Sequence, residues 1–387
     1  MKFCRQCITP DTRPNIQLDA TGLCNACATF TTKKEIDWAR REAAFRDVVQ
    51  NAKAKSRGYD CVIPVSGGKD STWQVIKCLE YGLHPLTVTW KTPARTEVGA
   101  RNLENLIHLG VDHIDYQINP EVEKKFMVET LVRYGSPAIP MHMAIYNIPP
   151  NIAASFGIPL VIWGENGAFE YGCSDEERRG FVMDQAWIKK HGVTHGLTAD
   201  DFIGEGLRAA DMTPYRTCPD QELKEKNILS IFLGYYFSWD PEVSLAVARS
   251  RGFEVSSSGP RTGFYNYADI DDEFISIHHY LKWYKFGFTR LFDNLSLEIR
   301  NGRMTRDQAV QIVCEKGSQP PLEDIRRFCR FVGIGTAHFF QLAERFRNPA
   351  IWKKQGSRWV LSDFLVKGWD WSEPQELLQM AAAKGNS

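Results

Sequence analysis

Two groups of residues in this chain have the types and the spacing to do chemistry. The first is Ser66-Gly67-Gly68-Lys69-Asp70-Ser71, which follows the apolar run Val62-Ile63-Pro64-Val65 and precedes Trp73, Val75, Ile76 and Leu79 in a helix-like segment. Two glycines between a strand and a helix let bare backbone N–H groups approach an anion, and the helix aims the positive end of its dipole at the same point. Ser66 and Ser71 add hydroxyls, Lys69 a cation, and Asp70 a carboxylate able to hold a magnesium ion that bridges phosphate oxygens. A Walker A loop is excluded: Ile63 stands where its first glycine is required, and Asp70 stands where Ser or Thr must follow the lysine. A plain glycine turn is the competing reading, and Pro64, which cannot donate to a ladder, belongs at a strand end or bulge.

The second group is Cys4-x-x-Cys7 with Cys24-x-x-Cys27, two knuckles at zinc-ribbon spacing around the turn Asp19-Ala-Thr-Gly22. Four thiolates fill a tetrahedral structural zinc site and leave no open catalytic position. So short a segment has little core, and the metal would supply most of its folding free energy, about 10–16 kcal/mol in comparable peptides. A disulfide pair conflicts with the cytoplasmic placement below, and a redox C-x-x-C has no need to occur twice.

These groups need a scaffold. The chain has 387 residues, enough for two or three domains, with 43% hydrophobic and 24% charged residues, the composition of a soluble globular protein. Lysine plus arginine equals aspartate plus glutamate at 47 each, which argues against nucleic acid as the main partner. No apolar run is long enough to span a bilayer and the N-terminus lacks a leader's apolar core, so membrane insertion is not expected and the cytoplasm is.

Residues 35–55 read as a connecting helix with Trp38, Phe45 and Val48 or Val49 at helical spacing. From Tyr59 onward, strands are expected at 60–65, 85–90, 112–118, 158–163 and about 228–237, with helices at 71–81, 96–109, 120–134 and 141–156. That alternation predicts an α/β fold with a parallel, Rossmann-like sheet, whose ligands bind beyond the carboxyl ends of the strands. Beyond about 255, helices are expected at 274–286, 290–300, 305–315, 322–332 and 336–346, with aromatic residues serving as core. The division is a zinc ribbon over 1–35, a phosphate-loop α/β domain over 36–255 and a mainly helical region over 256–387.

Strand ends supply the further candidates. Lys91, Thr92 and Arg95 follow the second strand, as ATP contacts or as a solvated loop. Gly164-Glu165-Asn166-Gly167 follows the fourth; Gly164 would permit close approach of ligand and Glu165 would bind metal or orient substrate, the alternative being a turn or helix cap. The run Asp175 to Arg179 reads as a solvated face, and a His191/His195 metal pair is unlikely because Gly192 and Gly196 oppose a helix. Tyr265, Asn266, Asp269, Asp271 and Asp272, beside a Ser/Gly-rich stretch, suit a polar substrate such as a sugar or, equally, a hinge.

The Ser66–Ser71 loop at a strand end resembles the pyrophosphate (PP) loop of the N-type ATP pyrophosphatases, which include GMP, asparagine and NAD synthetases and tRNA-thiolating enzymes. The resemblance implies cleavage of ATP between its α and β phosphates to adenylate a substrate oxygen, and Gly164-Glu165-Asn166 resembles an element at the corresponding strand end of that group. Over nearly the full length, Phe3-Cys-x-x-Cys-Ile-x-Pro-Asp-Thr-Arg-Pro14, Gly22-x-Cys-x-x-Cys27, Ser66–Ser71, Trp163-Gly-Glu-Asn166 and Asp269-Ile-Asp-Asp272 resemble the N-acetyl sugar amidotransferases of bacterial surface-polysaccharide and flagellin-sugar pathways. That implies conversion of an acetamido group on a nucleotide-activated N-acetyl sugar into an acetamidino group, as in lipopolysaccharide or O-antigen synthesis. The cofactors implied are ATP, Mg2+ and Zn2+.

No glutaminase nucleophile is apparent in the chain: Lys2 excludes an N-terminal cysteine and Cys173 lacks a nucleophile elbow. Ammonia would come from a glutaminase subunit resembling that of histidine biosynthesis, through a barrel-type channel subunit. Ser66, Gly67, Gly68, Lys69 and Ser71 are then expected on the phosphates, Asp70 on magnesium, Lys69, Asp70 and Glu165 in catalysis, and Gly164 and Asn166 at the nucleotide. The alternatives are a tRNA-thiolating enzyme, against which the neutral charge weighs, and a zinc-stapled, non-catalytic binding subunit.

Overall fold

The computed structural model describes residues 1–172, 174, 180–204, 206–316, 320–356 and 358–367. The Asp175–Arg179 run and Cys173 lie outside the described residues. Five parallel strands form the central sheet: β1 (Cys61–Pro64), β2 (Pro85–Trp90), β3 (Asp112–Tyr116), β4 (Leu160–Trp163) and β5 (Leu229–Phe232). Their spatial order is β3-β2-β1-β4-β5, so the chain moves outward from β1 in one direction and then returns to its other side with β4. The gap between β1 and β4 is the topological switch point, where two crossovers depart to opposite sides and leave a crevice.

The inner strands β2 and β4 are buried at every position because both faces are covered, whereas the edge strand β3, Asp-His-Ile-Asp-Tyr, is partly exposed. Pro64 sits at the last position of β1, where its missing donor costs little, and the ladder resumes at Val65, whose N–H donates to the Val88 carbonyl at 2.9 Å. The fifth strand is shorter than expected. It ends at Phe232, and Leu233–Tyr236 forms one helical turn instead of continuing the strand to 237. Gly234 N–H there donates to the Gly164 carbonyl, which draws the chain out of the sheet toward the end of β4.

Helix α1 (Asn25–Lys33), which starts within the second cysteine knuckle, was not expected; α2 (Trp38–Lys55), α3 (Lys69–Glu80), α4 (Glu97–Ile107), α5 (Pro120–Tyr134) and α6 (Ile139–Phe156) follow the expected order. In α2 the buried positions Phe45, Val49 and Ala52 carry the packing, while Trp38 stays half-buried. Helix α6 runs through Pro149 and Pro150. Two prolines deprive the Ile145 and Tyr146 carbonyls of their intrahelical donors.

The C-terminal region is helical, with Ile275–Phe286, Arg290–Arg300, Arg306–Lys316, Leu322–Val332 and Thr336–Glu344. It also holds an antiparallel hairpin, Trp352–Gln355 with Arg358–Leu361, that the sequence reading did not anticipate. Four-residue strands with one buried tryptophan between them carry too little alternation to be read. Trp283 and Trp352 are core residues, as expected of the aromatics here. The main core crosses the expected boundary at 256: Val88, Phe126 and Tyr215 share one cluster with Phe274, Phe328 and Phe339. No helix among the described residues is long and apolar enough to cross a membrane.

Candidate active site

The phosphate loop leaves β1 at the switch point and enters α3. Gly67 has φ +85°, and a β-carbon on it would lie 2.6 Å from the backbone nitrogen of Leu103 in α4. Its glycine requirement therefore comes from close packing of the loop on α4, and Gly67 is not among the residues lining the cavity described below. Gly68 caps α3 without a side chain. The first-turn N–H groups of Lys69, Asp70 and Ser71 then have no intrahelical acceptor and carry the positive end of the dipole. Ser66 Oγ accepts from Gly68 N–H at 3.2 Å, and Ser71 Oγ donates to the Gly68 carbonyl at 3.0 Å.

Lys69 is buried. Its Nζ lies 2.7 and 2.6 Å from the two carboxylate oxygens of Asp70, and 5.3 and 5.6 Å from the ring centres of Trp239 and Tyr267. Asp70 Oδ1 also accepts from Trp239 Nε1 at 2.8 Å. Asp70 thus serves first as the clamp on Lys69.

These residues open on a cavity of ≈450 Å³ at the carboxyl ends of β1, β2 and β4. Ser66, Gly68, Lys69, Asp70 and Ser71 line one side; Gly164 and Glu165 line another; Thr92 and Arg95 come from the end of β2. The prolines of α6 have a consequence here, because Ile145, Tyr146 and Pro149 form part of the wall. The remaining wall is Tyr267 to Asp272 with Arg290, nearly two hundred residues from the loop in sequence. Three cations (Lys69, Arg95, Arg290) face five carboxyls (Asp70, Glu165, Asp269, Asp271, Asp272). That acidic excess suits a polyphosphate accompanied by a divalent cation.

Burial, then the Asp70 charge, raises Glu165 to about 7, with Lys69 pulling the other way. Glu165 Oε2 is buried without a hydrogen-bond partner. A magnesium ion would find an unpartnered carboxylate oxygen at Glu165, whereas both Asp70 oxygens are held by Lys69, and Oδ1 by Trp239 as well, so Asp70 would have to turn from Lys69 to join it. Asp272 is raised to about 7 by burial and by Asp271 beside it, although Phe274 N–H stabilises its anion. At Asp269 burial acts upward but Arg290 and then His279 outweigh it, and its pKa lies well below the usual carboxylate range.

The acidic segment is held by α4. Thr96 N–H donates to the Asp271 carbonyl at 3.1 Å and Thr96 Oγ1 to the Ile270 carbonyl at 2.5 Å. A β-carbon on Gly99 would meet Asp271 Cα at 2.6 Å, so only glycine allows this approach. Asp269 itself takes a left-handed backbone, φ 55°, which aspartate tolerates better than most residues.

The site includes most of the residues expected at it, but not Asn166. Asn166 is buried, its carbonyl accepts from Glu170 N–H at the start of the short helix α7 (Gly167–Tyr171), and it does not line the cavity. Its role is that of the helix cap weighed as the alternative, because the chain turns inward directly after Glu165. Lys91 also stands outside the lining, while Arg95 pairs with Asp115 at 2.8 and 2.6 Å. His191 ends a helix, Gln185–His191, and His195 lies beyond it with φ 55°. Among the described residues only the four cysteines form a group of three or more potential metal ligands, and the two histidines join no such cluster. Trp239, Tyr267, Tyr146 and Arg290 were not legible as site residues; the adjacent prolines of α6 were the one local signal of an interrupted helix.

Cys4 Sγ lies 3.9 Å from Cys27 Sγ, and Cys7 Sγ 3.7 Å from Cys24 Sγ, all four buried. A tetrahedron with Zn–S of ~2.3 Å has sulfur–sulfur edges of ~3.8 Å, so the donors fit zinc; a disulfide would require ~2.05 Å. The ribbon is tied to the site. Lys33, at the end of α1, donates to Glu170 at 2.9 Å and to the Trp239 carbonyl at 2.8 Å. Arg300 spans from Cys7 Sγ, 4.0 Å, to the Glu170 carbonyl, 3.2 Å.

Residues 261–365 match the family model described as LPS biosynthesis protein WbpG-like, C-terminal domain. The C-terminal segment is WbpG-like. No curated protein matches the sequence. Among solved structures, NMN synthetase from Francisella tularensis aligns at 13% identity over 77% of this chain and 94% of its own, TM-score 0.30. The NH3-dependent NAD synthetase from Campylobacter jejuni aligns at 18% over 56% and 93%, TM-score 0.28. A predicted subunit of tRNA methyltransferase from Methanocaldococcus jannaschii aligns at 15% over 49% and 75%, TM-score 0.26. Superpositions this weak carry no chemistry. The matched segment contributes Asp269, Asp271, Asp272 and Arg290 to the cavity.

Proposed function

We propose that the protein is the synthetase subunit of an ATP-dependent, AMP-forming amidotransferase acting on the acetamido group of a nucleotide-activated sugar in surface-polysaccharide synthesis. The observation that carries this reading is the cavity itself: a Ser-Gly-Gly-Lys-Asp-Ser helix N-terminus faces an unpartnered carboxylate, Glu165, and a WbpG-like acidic wall across one ≈450 Å³ space.

An amide carbonyl resists ammonia because resonance stabilises it and oxide is a poor leaving group. Attack of the amide oxygen on the α phosphorus forms an O–P bond and expels pyrophosphate; ammonia then adds to the activated carbon and AMP leaves. In that scheme Lys69 and the α3 N-terminus neutralise phosphate charge, and Asp70 and Glu165 would hold magnesium, which supplies charge neutralisation between phosphate oxygens. Ammonia from a partner glutaminase through a barrel-type channel subunit belongs to the same proposal, as do cytoplasmic location and structural zinc on Cys4, Cys7, Cys24 and Cys27.

The test is product analysis with ATP, magnesium, an ammonium salt and a panel of acetamido sugar nucleotides. AMP plus pyrophosphate with a sugar lighter by about one mass unit, oxygen exchanged for NH, is the expected result for a step of the activated-acyl type. AMP formation that depends on tRNA instead would favour thiolation, and no turnover with any acceptor and a glutaminase present would leave a binding subunit.

A further inference from the structure

A second chamber of ≈430 Å³ lies behind the acidic wall, lined by Arg261, Thr262, His279, Thr289, Arg290 and Lys316 among others. It is built almost wholly within the WbpG-like segment. Arg290 lines both spaces. Asp269, on the main-cavity side, accepts from Arg290 Nε at 3.1 Å and from Thr262 Oγ1, on the chamber side, at 2.9 Å.

His279 is 7% exposed, and neither ring nitrogen has a hydrogen-bond partner; Nε2 lies 3.6 Å from Asp269 Oδ2, too far for one. A buried imidazole with an unused donor and an unused acceptor is costly unless a ligand supplies the partners. Size is compatible with this: the main cavity and the second chamber, ≈450 and ≈430 Å³, each fall in the ~300–1,000 Å³ range of pockets that take one drug-sized ligand.

Resting on the reaction proposed above, we propose that this second chamber binds the acceptor, an anionic, hydroxyl-rich sugar nucleotide whose acetamido end passes Arg290 into the main cavity. His279 and the hydroxyls of Thr262 and Thr289 meet sugar hydroxyls, and the exposed Lys316, beside Glu315, meets phosphate, with Arg261 held by Asp324 at 2.9 and 3.1 Å. A chain that joins a general ATP loop to a WbpG-like domain thereby divides its labour: the sheet activates and the helical segment selects.

The experiment is calorimetric titration of the full chain with UDP-, GDP- and CMP-linked acetamido sugars in the presence of a saturating α,β-methylene ATP analogue, without turnover. His279→Leu and Lys316→Glu should each weaken sugar-nucleotide binding about tenfold or more, the latter in a salt-dependent manner, with the affinity for the ATP analogue within about twofold of wild type. Lys316 is exposed, so its variant tests the chamber even if His279→Leu folds poorly. Sugar-nucleotide affinity unchanged in Lys316→Glu and in folded His279→Leu, parallel loss of both ligands, or a wild type that binds none of the panel would overturn the assignment. Amidine formation with unchanged affinities would remove the chamber and keep the reaction. Chamber-dependent binding without amidine formation would do the reverse.

Discussion

The two walls of the main cavity are built in opposite ways. The Ser66–Ser71 wall is local: six consecutive residues bring the dipole, the cation and the carboxylate together, and Lys69 finds its counter-ion in the next residue. The Tyr267–Asp272 wall is assembled from a distance, since Asp269 depends on Arg290 and Thr262, and Asp271 is positioned by Thr96 and Gly99 of α4. The first wall should therefore fail in function while the fold persists, and the second should fail in both.

The sharpest contrast comes from Lys69→Ala. It should lower AMP formation about 10²–10³-fold, the cost of losing one preorganised electrostatic group. Circular dichroism and thermal melting should remain close to wild type, because Asp70 is 38% exposed and water can solvate it. A large loss of stability with normal turnover would reverse the assignment of this wall.

Asp269→Asn should act on stability. It leaves Arg290 without its counter-ion, at about 1–3 kcal/mol, less than the ~3–5 of a fully buried pair because the two side chains are 17% and 21% exposed. The denaturant midpoint should fall at constant slope, with AMP formation falling alongside. Gly99→Ala is smaller, about 1–2 kcal/mol of overpacking, and should push Asp271 toward the cavity. An increase in KM for ATP or acceptor, measured below the lowered melting temperature where the variant is still folded, would read that shift.

The mildest effect is on pH. Both Glu165 and Asp272 are raised to about 7, chiefly by burial. AMP formation should rise with pH through about 7, and Glu165→Gln should flatten that limb. Stability moves the other way. Between ~4.3, where an unfolded glutamate ionises, and about 7, the native state keeps a proton that the unfolded chain has lost, so stability falls with rising pH across this window and levels above it. Glu165→Gln should remove its share of that slope in denaturation series at pH 5 and 8. An unaltered slope would show that Glu165 is better hydrated than its burial implies.

Legibility followed the same division as the walls. Helix α5 and the strand Pro85–Trp90 have the bounds that their patterns predict, and the cysteine knuckles close into a tetrahedron as their spacing implies. Asn166 misled because a strand-end motif lists residue types and not directions; one residue past Glu165 the chain already points into the core. Gly67 was expected as an anion contact, yet its φ of +85° and its approach to Leu103 show a packing requirement that only the neighbouring helix reveals.

By itself the sequence determined the order of strands and helices, the phosphate loop and the four sulfur ligands, because each depends on hydrophobic period or on ligand spacing within a few residues. Tertiary structure alone decided that Trp239 clamps Asp70, that Arg290 and Asp269 form a partition, and that a second chamber lies behind it. Those contacts join residues 21 to 169 positions apart. Nothing in local propensity encodes which distant side chain will meet a buried charge; packing of the C-terminal helices against the sheet does.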